Sequence, residues 1–346
     1  MKTYAFPGII EDEILAIGAG QVPYMRTAEF SEINKESERL LMEFVGCPSG
    51  RALIYTGSGT GAMDAVVCNY VSTRRRALVI DGGSFGHRWS QLCDYYGCEH
   101  TDMKLGFGQD VDYKELERLI EVDGIDTLLC QHHETSSGQL YDIMRIGDIC
   151  RRHNVSLVVD IISSFLVEDF DMNAVGADIC ITSSQKGLNI PPGIAIMFLS
   201  PRMADYPFAH NSYYFDFQDN LKNMTRGQTP FSPATLLFLQ LNARLKALKA
   251  EGIKANKARA RERAQYFRGI CEKYGWKSMA ETPSWAITGF QTSGDPQRIV
   301  RGLIERFDTF IMPGSRPGFF RVSHMGIQSH ADLDELGRQI HLLETE

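Results

Sequence analysis

The chain of 346 residues is short of several features that would place it in a specialised class. It has no run of about 18 apolar residues, so no membrane-spanning helix is expected. It has no Cys-x-x-Cys pair. Its eight cysteines (Cys47, Cys68, Cys93, Cys98, Cys130, Cys150, Cys180 and Cys271) are scattered, several of them inside apolar runs where a reduced thiol packs as a small hydrophobe. That usage argues against a disulfide scaffold and suits a reducing compartment. There is no internal repeat, low-complexity tract or Gly/Ser linker. Positive charge is also scarce: 36 Lys and Arg stand against 43 Asp and Glu, a net charge of -7. This balance opposes broad contact with a phosphate backbone while leaving room for a local basic pocket, so no nucleic-acid partner is expected. The opening segment, MKTYAFPGIIEDEILAIG, interrupts its apolar stretch with acidic residues and a proline, unlike a secretory signal. A cytoplasmic location with no membrane attachment is the expectation.

What the chain does have is the length for one large α/β unit plus a smaller one, with interior enough for a buried cofactor. Hydrophobic content of 43% and charged content of 23% are those of ordinary globular proteins. After a helix expected from about Glu32 to Val45, Ala52-Leu53-Ile54-Tyr55 reads as a strand. Met63, Val66, Val67 and Tyr70 then recur at helical spacing. Further short apolar runs follow at Ala77 to Ile80, Thr127 to Cys130, Leu157 to Asp160 and Ile179 to Ile181, separated by helical patterns such as Met144 to His153. Continuous apolar runs of this kind belong to strands buried on both faces, as in a mostly parallel sheet. From about Ser232 the character changes. Leu237, Leu241, Leu245 and Leu248 mark a long helix, and a basic, alanine-rich helix runs from Lys254 to Tyr274. Strands are expected near Trp285 to Phe290 and Phe319 to Val322, and Leu333, Leu336, Ile340 and Leu343 mark a closing helix. The basic run Lys254 to Arg263 reads as a solvated helix face.

The chemistry concentrates in a few segments. Thr56-Gly57-Ser58-Gly59-Thr60-Gly61 follows a strand and opens a helix, a place where backbone N–H groups converge on an anion. The same segment fits a loose dinucleotide fingerprint, with Asp81 about 20 residues on as a ribose-binding acid. Lys186, in Thr182-Ser183-Ser184-Gln185-Lys186-Gly187-Leu188-Asn189-Ile190-Pro191-Pro192-Gly193, lies just past a buried strand, where a partly desolvated amine has a lowered pKa and can act as a nucleophile. Asp160 ends an apolar run, a costly place for a carboxylate without a cation or donors. His132, His133 and Glu134 together raise the thought of a metal. Adjacent strand residues point to opposite faces, however, and no further ligand set has suitable spacing, so no metal is expected.

Ser-Gln-Lys followed by Pro-Pro-Gly resembles the cofactor lysine segment of class V aminotransferases, which use pyridoxal 5'-phosphate (PLP). The resemblance runs from Phe6-Pro7-Gly8 through Arg26-Thr27-Ala28-Glu29-Phe30 to Arg321. It implies an α/β fold-type-I PLP-dependent transferase, with a mostly parallel central sheet, helices on both faces and a smaller α+β domain. The large domain would span 15–230, and the small one 1–14 with 231–346. By the same resemblance Lys186 carries PLP as a Schiff base, Ser58, Gly59, Thr60 and Gln185 surround its phosphate, and Asp160 meets the ring nitrogen. Phe85 stacks on the ring, Thr135 reaches its phenolic oxygen and Arg321 clasps the substrate carboxylate. Thr229 reaches the cofactor phosphate of the neighbouring subunit, which implies a homodimer. The implied reaction is a ping-pong transfer of an amino group from a small primary amine or amino acid to a 2-oxo acid such as pyruvate or glyoxylate. A PLP-dependent lyase or decarboxylase of the same fold, and a nicotinamide-binding oxidoreductase, are the rival readings. Two departures stand out: Ile161-Ile162 follow Asp160 where small residues are usual, and Arg226 stands where some members have tyrosine.

Overall fold

The computed structural model describes residues 1–346. Seven strands form its main sheet: β1 (Arg51–Thr56), β2 (Ala77–Asp81), β3 (His100–Lys104), β4 (Thr127–Gln131), β5 (Ser156–Asp160), β6 (Ile179–Ser183) and β7 (Ile194–Leu199). Their spatial order is β1-β7-β6-β5-β4-β2-β3, and all neighbours run parallel except β7, which is antiparallel to both β6 and β1. Successive residues of the apolar runs go to opposite faces. Ile54, Ile80, Leu128, Leu157 and Ile196 join one buried cluster, while Leu53, Val79, Leu129, Val158 and Met197 join another across the sheet. Helices cover both faces, which is why these strands show no polar alternation.

Two strands of the main sheet escaped the sequence pattern. The edge strand β3, His-Thr-Asp-Met-Lys, buries only Met103, so its polar composition hides it. The strand β7, Ile-Ala-Ile-Met-Phe-Leu, is wholly buried and follows the Pro-Pro-Gly turn of the lysine segment so closely that it reads as part of it. The expected helices exist with small shifts, Ala28–Phe44 starting a turn earlier than Glu32 because Thr27 caps it by accepting from the Phe30 N–H at 3.2 Å.

A second, four-stranded antiparallel sheet is built from Lys277–Ser278, Ile287–Gln291, Phe319–Ser323 and Met312–Pro313, in that order. Helices Ile253–Tyr274, Pro296–Phe307 and His330–Thr345 pack on it through Phe267, Ile270, Leu303, Leu336 and Ile340. The first residues of the chain join this part, since Lys2–Thr3 pairs in parallel with Thr309–Phe310. The following turn then crosses to the main sheet's lysine loop: the Gly8 N–H donates to Asn189 Oδ1 at 3.1 Å, and Asn189 Nδ2 donates to the Ile9 carbonyl at 2.9 Å. A side chain at position 8 would place its Cβ 2.3 Å from the Met325 carbonyl oxygen, so only glycine allows this approach. Gly8→Ala is therefore expected to destabilise the protein by about 1–3 kcal/mol, measured as a lowered melting temperature together with faster proteolysis of the N-terminal segment.

Candidate active site

Parallel strands β4, β5 and β6 end together, and the polar residues that end them, Gln131, Asp160 and Ser183, open onto one edge of the sheet. In open α/β sheets ligands bind beyond these carboxyl ends. The chain leaves β6 into a loop that returns as β7, and Lys186 sits in that loop, buried at 7% exposure. The loop is held from several sides. The Ser184 N–H donates to the Ile194 carbonyl at 3.1 Å, the Ile190 N–H to the Ser184 carbonyl at 3.2 Å and Arg244 Nε to the Leu188 carbonyl at 3.0 Å. A Cβ on Gly187 would lie 1.9 Å from the Phe165 carbonyl oxygen, so the residue after the lysine must be glycine.

Lys186 Nζ lies 3.4 Å from the centre of the Phe6 ring and 5.9 Å from that of Phe85. Burial, with help from the Arg321 charge, pushes its pKa down to about 7, against the opposing pull of Asp160 and Glu134. Asp160 moves the other way. It is 5% exposed, accepts only the Ile162 N–H at 2.7 Å, and is pushed up to about 7 by burial, the Lys186 and Arg88 charges opposing the rise. Phe85 precedes helix Gly86–Tyr96, with the Arg88 guanidinium 5.1 Å from its ring centre.

Ser58 caps helix Gly59–Asn69 by accepting from the Gly61 N–H at 3.2 Å, and Thr60 Oγ1 accepts from Arg88 Nη1 at 2.9 Å. A Cβ on Gly59 would stand 2.6 Å from Ile162 Cδ1 and 3.3 Å from Ser183 Oγ, so this helix start abuts the ends of β5 and β6. Ser183 Oγ and Gln185 Oε1 are buried with no partner in the protein. Thr135 Oγ1 donates to Ser163 Oγ at 2.6 Å. Arg321 donates from Nη1 to the Thr135 carbonyl and from Nη2 to that of Pro313, each at 3.1 Å, while its buried Nε has no acceptor. Thr229 is not joined to these groups within one chain. Its hydroxyl donates to the Phe231 carbonyl at 2.7 Å, and its own carbonyl accepts from Arg26 Nη1 at 2.6 Å.

Three groups that pattern reading gave no role stand beside these. Glu134, fully buried, accepts from the N–H groups of Gly86 (2.9 Å), Phe85 (3.4 Å) and Ser136 (3.0 Å), from Gln131 Nε2 (3.0 Å) and from Ser136 Oγ (2.5 Å). Two of these five donors are N–H groups at the start of helix Gly86–Tyr96, and together the five fix its carboxyl group in a structural role. His133 is buried with both ring nitrogens unpartnered, and burial followed by the Lys186 charge pushes it down to about 3, so it is neutral. Phe6 lies far away in sequence and carried no signal beyond its place in the Phe-Pro-Gly stretch. The His, Cys, Asp and Glu side chains form no cluster of three or more suited to a metal.

The donor set fits PLP. An amine with a depressed pKa suits an aldehyde, a buried carboxyl with one hydrogen bond suits a cationic ring nitrogen, and a helix start flanked by the unpartnered Ser183 hydroxyl suits a phosphate. In the cofactor-free protein the two shifts oppose each other. Asp160, with its pKa raised from 3.8 to about 7, withdraws stability as pH rises through that interval. Lys186, lowered from 10.5 to about 7, restores stability as pH climbs from about 7 towards 10.5, where the unfolded chain also loses its proton. Thermal unfolding of the cofactor-free protein across pH is expected to show Asp160→Asn removing the first limb and Lys186→Met the second. Unchanged limbs in both variants would mean that neither group is desolvated.

The profile of the family described as Aminotransferase class-V matches residues 19–293. Among curated relatives, a serine–glyoxylate aminotransferase from Hyphomicrobium methylovorum is 30% identical, covering 88% of this chain and 79% of that protein. A protein named soluble hydrogenase 42 kDa subunit, from Anabaena cylindrica, is 29% identical over 93% of this chain and 87% of its own length. That name stands apart from the transaminase names of other relatives. The crystal structure of an aspartate aminotransferase from Thermus thermophilus superposes with a TM-score of 0.91 at 26% identity, covering 99% of this chain and 98% of the other. The fold is that of fold-type-I PLP enzymes, as the sequence implied. With its lysine loop, its strand-end carboxyl group and a profile match over most of its length, the chain belongs to the class V aminotransferase family of PLP-dependent enzymes.

Proposed function

We propose that the protein moves an amino group from a small primary amine or amino acid to a 2-oxo acid such as pyruvate or glyoxylate, alternating between the two half-reactions. The observation that carries this reading is the buried Lys186 amine, shifted to about 7, in one site with Asp160 and with an arginine whose contacts are carbonyls. Relatives named serine–glyoxylate and 2-aminoethylphosphonate–pyruvate transaminase support the acceptor class.

PLP, when bound, supplies the aldehyde and the electron sink. Lys186 Nζ, neutral in a large fraction of molecules near pH 7, acts first as the nucleophile. As a base at the same place, it would take the substrate's α-proton and return it to a neighbouring carbon. The Asp160 carboxylate keeps the ring nitrogen protonated, and its single internal hydrogen bond leaves acceptor capacity for that contact. Phe85 supplies a flat wall, and Thr135, through the hydroxyl pair with Ser163, supplies a polar contact at the ring edge. Ser58, Gly59, Thr60 and Gln185 take the phosphate end. Arg321 uses two of its five N–H donors on carbonyls, which leaves Nε and the remaining hydrogens for a carboxylate.

The dimer belongs to the same reading. Tyr213, 88% exposed, lies 5.4 Å from the Phe231 ring beside Thr229, an exposed aromatic patch of the kind found at interfaces. A partner seated there brings Thr229 towards the other subunit's phosphate site. The division of the chain near residue 230 into a large and a small domain, and a cytoplasmic location, complete the proposal.

A panel of amines against pyruvate and glyoxylate, followed by absorbance of the bound cofactor and by product, tests it. Parallel-line kinetics are expected for at least one pair, and failure of every pair to convert the cofactor to its amine form would overturn the proposal. Lys186→Ala should lower turnover by about 10⁴-fold. Arg321→Gln should raise KM for the 2-oxo acid by roughly 10- to 100-fold, the loss of a charge-assisted hydrogen bond, with a smaller change for an amine donor that has no carboxylate.

A further inference from the structure

The basic run Lys254 to Arg263 is not uniformly solvated. Two of its members, Arg259 and Arg263, turn towards the body of the protein and, with Arg244 of helix Thr235–Glu251, line a cavity of about 230 Å3. The backbone of Gly187, the residue after the catalytic lysine, forms part of the wall, as do Gly326 and Glu11, from the segment before the first helix. Such a space holds roughly seven waters at about 30 Å3 each, or one small polyatomic ion.

The charges around it do not cancel. Arg244 Nη1 donates to Glu11 Oε1 at 2.9 Å, and Arg259 Nη2 donates to Glu251 Oε2 at 2.9 Å. Arg263 has no carboxylate in hydrogen-bond contact: the Glu262 and Glu11 charges act on it only through space, and its one hydrogen bond runs from Nη1 to the Gly326 carbonyl at 2.6 Å. Two paired arginines and one unpaired arginine leave an excess positive charge. Arg263 is also largely desolvated, and burial pushes its pKa down. Two further buried atoms on cavity-lining residues lack partners. They are Nδ1 of His324, whose other ring nitrogen is 2.8 Å from Thr288 Oγ1, and Oε2 of Glu11. If Thr288 donates to His324 Nε2, the neutral ring carries its proton on Nδ1 and is a donor. Glu11 Oε2, by contrast, can only accept.

A ligand that satisfies all of these must offer negatively charged oxygens to Arg263 and His324 and one hydroxyl hydrogen to Glu11. We propose that this cavity is a second anion site, separate from the catalytic one, that binds a protonated phosphate group, either inorganic hydrogen phosphate or a singly protonated phosphate monoester. Sulfate has the same shape and no proton to give, so Glu11 selects against it. Binding ties Arg244, whose Nε holds the Leu188 carbonyl of the lysine loop, to Arg263, which holds Gly326 five residues after Arg321. The site thereby braces the lysine loop against the segment that follows the carboxylate-binding arginine.

The PLP-loaded enzyme, whose cofactor phosphate site is already filled, is the material for the test. Thermal unfolding is followed at constant ionic strength with added phosphate, sulfate or glycerol 3-phosphate. A saturable rise of several degrees is expected with phosphate or with glycerol 3-phosphate, the better of the two identifying the source, and a much smaller one with sulfate. The phosphate response should persist in Arg321→Gln, which separates this cavity from the catalytic arginine. It should weaken at least about tenfold in apparent affinity in Arg263→Gln, or in Arg259→Gln if the first variant does not fold. Equal responses to phosphate and sulfate, no saturable response, or an undiminished response in the arginine variants would overturn the proposal. None of these outcomes depends on transaminase turnover, so this inference and the proposed reaction stand or fall separately.

Discussion

An amine and a carboxyl group buried in one water-poor space at the ends of parallel strands set the conditions for everything around them. Lys186 and Asp160 each lose most of their hydration, and each is driven towards its neutral form, to about 7 from opposite directions. Such groups persist only where the backbone is over-determined. The lysine loop meets this requirement through contacts drawn from distant parts of the chain: Phe165 lies over Gly187, Gly8 and Ile9 bind Asn189, and Arg244 binds Leu188. The helix that carries Arg244 and the N-terminal turn are thereby part of the site's support, although neither contributes to the sheet.

Glu134 performs a second task of the same kind. Its five donors fix the segment Gln131 to Ser136 against the start of helix Gly86–Tyr96, and the close packing requires Gly83, where a Cβ would meet Glu134 Cδ at 2.7 Å. This segment leads to the second sheet. The Ser284 N–H donates to the Gly138 carbonyl, the Leu140 N–H donates to the Thr282 carbonyl, and Arg321 reaches back to the Thr135 carbonyl. One buried carboxylate therefore positions Phe85 on one side and the hairpin next to Arg321 on the other.

The parts of the fold that were legible in the sequence are those with a local cause. Apolar runs such as Leu157-Val158-Val159 announce strands because both sheet faces are covered, and Leu237, Leu241, Leu245 and Leu248 announce a helix by their spacing. The strand His100–Lys104 was not legible, since an edge position spares it from burial. At the site, Lys186, Asp160 and Arg321 could be singled out by motif. The carboxylate role of Glu134 could not, because two of its five donors come from a stretch about 50 residues away in sequence. His133 likewise offered only a metal-like pairing with His132, and the fold buries both rings apart from any ligand set. The basic run after Lys254 misled for a related reason. Lysine and arginine on a helix mostly face water, and only the docking of Glu11, Gly187 and Gly326 against that helix turns two of the arginines inward.

Arginines with carbonyl partners differ in consequence from arginines with carboxylate partners. Arg202 and Asp178, or Arg51 and Glu38, neutralise each other and have no net charge to offer a ligand. Arg321 is oriented by the Thr135 and Pro313 carbonyls, which accept its hydrogens without cancelling its charge. Glu134, the carboxylate whose charge acts on it, is already saturated with donors. The guanidinium therefore remains an electrophilic partner in a desolvated setting, where a carboxylate entering from solvent gains more than it would at a surface. Carbonyl anchoring fixes the fork's direction and preserves its charge together, and that combination suits the residue to distinguishing a carboxylate-bearing substrate from a simple amine.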